Sequence, residues 1–149
     1  MCGLPGSGKT TLAKALGAYH QGTTFCADDW MDALGIDLWD SARRDATEAL
    51  QWQQVRDLLA LGGTAIIEWG TWARPERDML REGARNLGAA VELIFLDAPP
   101  EVLFARISAR GRETPAISLE QLREFSAAIE WPTAEELALY DPSPERSVP

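Results

Sequence analysis

The sequence is short of several residue types, and each shortage excludes something. Two cysteines, Cys2 and Cys26, make no disulfide framework and fit a reducing compartment. Positive charge is scarce: 14 Lys and Arg against 23 Asp and Glu leave a formal charge of −9. A polyanion is on average repelled by such a surface, which disfavours nucleic acid as a partner. Only Lys9 and Lys14 are lysines, and arginine, which suits planar recognition of phosphates and carboxylates, carries the remaining positive charge. No apolar run approaches the roughly 18 residues that span a bilayer. The opening Met-Cys-Gly-Leu-Pro-Gly lacks the basic and apolar regions of a secretory signal. A cytoplasmic, soluble protein without membrane attachment is the expectation.

What remains is ordinary for a globular domain: 149 residues, 46% hydrophobic and 25% charged, with 12 Gly and 9 Pro. A chain of this length buries roughly 68–70% of its unfolded surface, enough for a core without disulfides or a structural metal. One domain, residues 1–149, is expected, with 141–149 and its three prolines as a flexible tail. Helices are expected from Thr10 to Gly17, from Ser41 to Leu61 (carrying Leu50, Trp52, Val55, Leu58 and Leu59 and stopped by Gly62-Gly63), and from Arg74-Pro75 to about Leu87. Others run from Pro99-Pro100 to Arg110, from a Ser118 cap to Ile129, and briefly after a Thr133 cap. Between them Thr23–Ala27, Ala65–Ile67 and Ala90–Leu96 read as strands. This alternation predicts an α/β fold, a parallel sheet covered by helices on both faces.

Gly3-Leu4-Pro5-Gly6-Ser7-Gly8-Lys9-Thr10 fits the phosphate-loop pattern of Gly, four residues, then Gly-Lys-Ser/Thr, and Thr10 enters an apolar helix. A chance match in a chain this long occurs roughly half a per cent of the time. Gly3, Pro5, Gly6, Ser7, Gly8, Lys9, Thr10 and Thr11 are therefore the expected nucleotide contacts. Backbone N–H groups would cradle the phosphates, Lys9 would reach the β- and γ-phosphates, and the Thr10 hydroxyl would take a position on Mg²⁺. ATP is preferred to GTP, because the only asparagine, Asn86, precedes Leu87 and so cannot begin the guanine-reading Asn-Lys-x-Asp. Only Met1 and Cys2 precede Gly3, whereas a phosphate loop normally follows a central strand of about five residues. A truncated first strand is expected, with the natural start upstream or the chain a shortened form.

Ligands of open α/β sheets bind beyond the carboxyl ends of the strands. Asp28 is the candidate general base, accepting the proton of an acceptor hydroxyl, and Asp29 the candidate cap of the helix that follows. Glu68 could hold Mg²⁺ through a water. Asp97 reads as a turn and helix entry. Arg106 and Arg110, four apart, share a helix face with Arg112 just beyond; they either close over the transferring phosphoryl group or pair as a solvated face with Glu101 or Glu113. Trp30, Trp39, Trp69 and Trp72 lie around the acidic loops, as core or as an aromatic pocket wall. His20, after the first helix, reads as a surface or helix-terminal residue.

With these residues in hand, the chain resembles the ATP-binding phosphate-loop kinases of the polynucleotide kinase, chloramphenicol phosphotransferase and zeta-toxin type, among bacterial AAA-type ATP-binding proteins. The likeness covers about residues 3–140 and rests on Gly3–Thr10, Asp28, Arg74-Pro75-Glu76-Arg77, and Arg106 with Arg110. Trp131-Pro132-Thr133-Ala134-Glu135-Glu136 also looks like a late segment of bacterial members. The resemblance implies a three-layer phosphate-loop sandwich, a base at Asp28, and a lid whose Arg110 contacts the transferring phosphate. Met31 stands where polynucleotide kinases carry an Arg for a substrate phosphate, and Gly70 near where they carry an acid, Glu68 being the nearest here. The expected activity is ATP- and Mg²⁺-dependent transfer of the γ-phosphate to a hydroxyl of a small, uncharged or cationic molecule. The alternatives are an ATP-binding or ATPase module without a phosphoryl acceptor, and a nucleic-acid end kinase, which the charge and Met31 disfavour.

Overall fold

Four short parallel strands set the frame. The computed structural model describes residues 1–111 and 115–142; Arg112, Glu113 and the expected tail beyond Pro142 lie outside the described residues. Strands β1 (Cys2–Gly3), β2 (Thr23–Phe25), β3 (Ala65–Ile67) and β4 (Phe95–Leu96) alternate with helices α1 (Lys9–His20), α2 (Ala27–Ala33), α3 (Ser41–Ala60), α4 (Arg74–Arg85), α5 (Pro100–Arg110), α6 (Leu119–Ala128) and α7 (Ala134–Leu137). β2 pairs with β3, with Thr23 opposite Ala65, and β1 pairs with β4, with Cys2 opposite Phe95. These are two two-stranded sheets, and an isolated parallel bridge between Cys2 and Gly70 links β1 to the segment that follows β3. Every crossover contains a helix, as parallel neighbours require.

The expected strand over Ala90–Leu96 shrinks to its last two residues. A strand exists only against a partner, and β1 is two residues long, as its expected truncation implies. Cys2 N–H donates to the Ile94 carbonyl at 2.8 Å. Beside Met1, between β3 and residues 90–94, lies a cavity of about 370 Å³ that touches α1 and α3 on one side and α4 on the other. The buried Met1 ammonium donates to the Ile67 carbonyl at 2.7 Å, and burial pulls its pKa down to about 6. The strand after α1 also ends early, at Phe25, because α2 begins at Ala27.

Local signals set the helix ends. Ser118 and Gln121 form a reciprocal capping box at α6, and the Thr133 hydroxyl accepts from Glu136 N–H at α7. Asp40, one residue before the expected start, caps α3 by accepting from Arg43 N–H at 3.0 Å. Along α3 the buried stripe is Thr47, Gln51 and Val55, spaced four apart, so Leu50 points outward and is 60% exposed. Gln51 is buried because both ends of its amide are bonded, Nε2 to the Cys26 carbonyl and Oε1 from Trp69 Nε1.

A core cluster of Cys2, Leu4, Leu103, Ile107, Leu122 and Ile129 glues α5 and α6 to β1. Each fully buried leucine contributes roughly 1.5–3 kcal/mol. A second tether is ionic: Arg77 of α4 and Glu136 of α7 are both almost wholly buried and meet through two hydrogen bonds, 2.6 and 2.9 Å. Arg77 also donates to the carbonyls of Thr71 and Trp72 at 3.0 Å, pinning the segment that follows β3. Asp141, expected to begin the flexible tail, is held to Val91 in both directions.

Candidate functional site

Between β1 and α1 the chain turns through Gly6 at φ 78° and Gly8 at φ 99°, conformations open to glycine but strained for other residues. A Cβ on Gly6 would also lie 2.9 Å from the Ile107 side chain, so its absence lets α5 close over the loop. Gly8 is the N-cap of α1 and has no side chain to satisfy the first-turn N–H groups. Those donors, with the positive end of the helix dipole, form a site for an anion. The Ser7 hydroxyl is buried beside them without a hydrogen-bond partner.

Lys9 Nζ donates to the Leu4 carbonyl of its own loop at 2.9 Å, and burial holds its pKa below the usual lysine value. A desolvated ammonium bound to one neutral carbonyl is under-compensated, and phosphate oxygens would supply what it lacks. Thr10 Oγ1 donates to Glu68 Oε1 at 3.2 Å; Glu68 is 8% exposed and its Oε2 has no hydrogen-bond partner. A hydroxyl beside a buried carboxylate is a hard-oxygen pair suited to Mg²⁺, which binds through one or two carboxylates, phosphate oxygens and waters. No cluster of three or more His, Cys, Asp or Glu able to hold a metal exists among the described residues, so a metal without phosphates has no cage here. Cys26 is pushed up to about 12 by burial and the neighbouring Glu68, and burial also raises Cys2. At both positions the surroundings disfavour the thiolate.

Asp28 stands in the first turn of α2 and forms an ion pair with Arg44 of α3, Oδ1 to Nη2 2.7 Å. Arg44 also donates to the Leu38 carbonyl at 3.0 Å, tying the α2–α3 connection to this carboxylate. Asp29 is not the helix cap: α2 begins at Ala27 behind Cys26, so Asp29 sits inside the first turn, where a carboxylate still favours the dipole. Arg106 reaches from α5 to the Gly6 carbonyl at 3.4 Å. Glu101, one expected partner of the arginine face, instead binds Arg123 of α6 at 2.8 Å.

These groups share one open cleft of about 1010 Å³. It is lined by Gly3, Pro5, Gly6, Ser7, Gly8, Lys9, Thr10 and Thr11, by Asp28 and Glu68, and by Arg106 and Arg110. The structure thus brings every expected site residue to one place. Trp39, Trp69 and Trp72 join them and Trp30 does not. The cleft wall also contains Arg44 and Glu48, which sequence reading missed, and Glu76, which it noted only within the Arg74–Arg77 motif. The spacing of Arg44 and Glu48, four apart on one helix, was the available signal.

The chain matches the AAA domain family over residues 1–132. It belongs to that family. No curated protein matches it. Among solved structures, this AAA domain is similar to the crystal structure of a gluconokinase from Sinorhizobium meliloti 1021, with a TM-score of 0.61 and 21% identity over 91% of this chain and 76% of that one. The likeness shows that the domain shares the fold of that structure, and here the phosphate loop lies between the first strand and first helix. No helix among the described residues is long and apolar enough to cross a membrane.

Proposed function

We propose that this AAA domain is an ATP- and Mg²⁺-dependent kinase that moves the γ-phosphate of ATP onto a hydroxyl of a small molecule. The observation that carries the reading is the convergence on one cleft of the phosphate loop, the Thr10–Glu68 pair, Asp28 and the two arginines of α5. The name of the fold neighbour, gluconokinase, points the same way. In this reading the first-turn N–H groups of α1 hold the phosphates, and Lys9 exchanges the Leu4 carbonyl for phosphate oxygens. Thr10 and Glu68 would hold Mg²⁺, which when bound neutralises charge on the β- and γ-phosphates. Asp28 orients the acceptor hydroxyl and takes its proton as the new O–P bond forms and the bond to the β-phosphate breaks, releasing ADP. Arg106 and Arg110 stabilise charge on the moving phosphoryl group.

The test is a panel of alcohols, nucleosides, sugars and antibiotics incubated with the protein and Mg-ATP, followed by mass spectrometry. At least one compound is expected to gain one phosphoryl group as ADP appears. Slow ATP hydrolysis indifferent to every acceptor would instead favour an ATPase module.

A further inference from the structure

The part of the cleft away from the phosphate loop has a chemistry of its own. Glu48 of α3 and Glu76 of α4 face it, and no ion pair to either carboxylate is present among the described residues. The nearby cation, Arg44, is committed to Asp28. Two tryptophans of the same cleft are held in place, Trp69 by its 2.6 Å hydrogen bond to Gln51 and Trp72 by the ring of Phe125, centroids 5.2 Å apart. Half-buried carboxylates without a counter-ion, set beside fixed aromatic rings, form the environment that recognises an organic cation.

Resting on the kinase reading above, we propose that the acceptor is an alcohol bearing a cationic nitrogen, an amino alcohol or amino sugar, whose charge is received by Glu48 and Glu76 beside the tryptophan rings. The nitrogen takes no part in the transfer; it fixes the hydroxyl near Asp28. An anionic acceptor, such as a sugar acid, meets two like charges there and is rejected.

Titration supports the assignment. Glu48 is pushed up to about 7, chiefly by burial, then by Glu76 across the cleft and by Asp45 and Asp28, against the opposing pull of Arg44. Burial raises Glu76 as well, against backbone hydrogen bonds at Ala73 and Trp72 and the nearby charges of Arg77 and the N-terminus. Glu48 therefore gains its charge between pH 6 and 8, and attraction for a permanent cation strengthens over that interval.

The experiment compares choline with 3,3-dimethylbutan-1-ol, its uncharged carbon isostere, and with gluconate, by calorimetric titration of the intact protein holding Mg²⁺ and a non-hydrolysable ATP analogue. Choline is expected to bind about tenfold more tightly than the isostere, as a cation–π and carboxylate contact warrants. Its advantage grows from pH 6 to 8, and gluconate binds weakest. Glu48→Gln with Glu76→Gln removes the advantage and its pH dependence, while the affinity for the ATP analogue stays within about twofold. Equal or weaker binding of choline, or no binding of any of the three, overturns the proposal. If the ATP analogue itself fails to bind, the kinase reading falls; if it binds and transfer occurs without preference for cations, only the acceptor assignment falls.

Discussion

Asp28→Asn is expected to lower the rate of phosphoryl transfer by roughly 10²–10⁴-fold, the range for losing a positioned general base, while leaving Mg-ATP affinity nearly unchanged. The substitution keeps shape and hydrogen-bonding capacity but removes the proton acceptor. It also dissolves the ion pair with Arg44, whose other bond, to the Leu38 carbonyl, still anchors it. Stability should change little, because this pair is part-exposed and such pairs contribute about 0–1 kcal/mol. Single-turnover kinetics with saturating acceptor, beside calorimetry of ATP binding, separate the effects. Undiminished transfer would remove Asp28 from the chemistry, and lost ATP binding would make it a nucleotide ligand.

The second large effect concerns stability. Arg77→Ala should cost about 3–5 kcal/mol, because it leaves the Glu136 carboxylate, about 2% exposed, without its bidentate partner. In a domain of this size that is a fall in melting temperature on the order of 10 °C. The carbonyls of Thr71 and Trp72 lose a donor too, so the segment that positions Trp72 in the cleft loosens. Replacing both partners with apolar residues of similar volume, Arg77→Met with Glu136→Leu, should restore most of the loss, since no buried charge is stranded. Deleting the exposed Arg123–Glu101 pair should shift the melting temperature by no more than a few degrees. Thermal unfolding of the three variants is the check; equal losses for the buried and the exposed pair would contradict the account.

The phosphate loop could be read directly because its function resides in consecutive residues whose chemistry and backbone freedom are local. Glu68 was legible for a related reason, as the residue directly after β3 at the ligand edge of the sheet, and Asp28 by its place in the first turn of α2 just beyond β2. Arg44 and Glu48 were not, since each alone reads as an exposed helical charge, and Glu76 was visible only as part of the Arg74–Arg77 motif, without a role. The length of β4 was hidden as well. Ala90–Leu96 is apolar enough for a seven-residue strand, yet pairing is decided by β1, which reaches only two residues. Glu136 stood in the sequence only as the end of the Trp131–Glu136 segment, and the approach of Arg77, 59 residues earlier in the chain, together with Arg74 at 3.7 Å, accounts for its burial.

The central claim is that the loop from Gly3 to Thr10 receives the phosphates of ATP. Isothermal titration of the purified protein with Mg-ATP tests it most directly, run beside Lys9→Ala. Saturable binding at one site, weakened at least tenfold by the lysine substitution, is the predicted result. Absence of binding, or an affinity indifferent to Lys9, would contradict it.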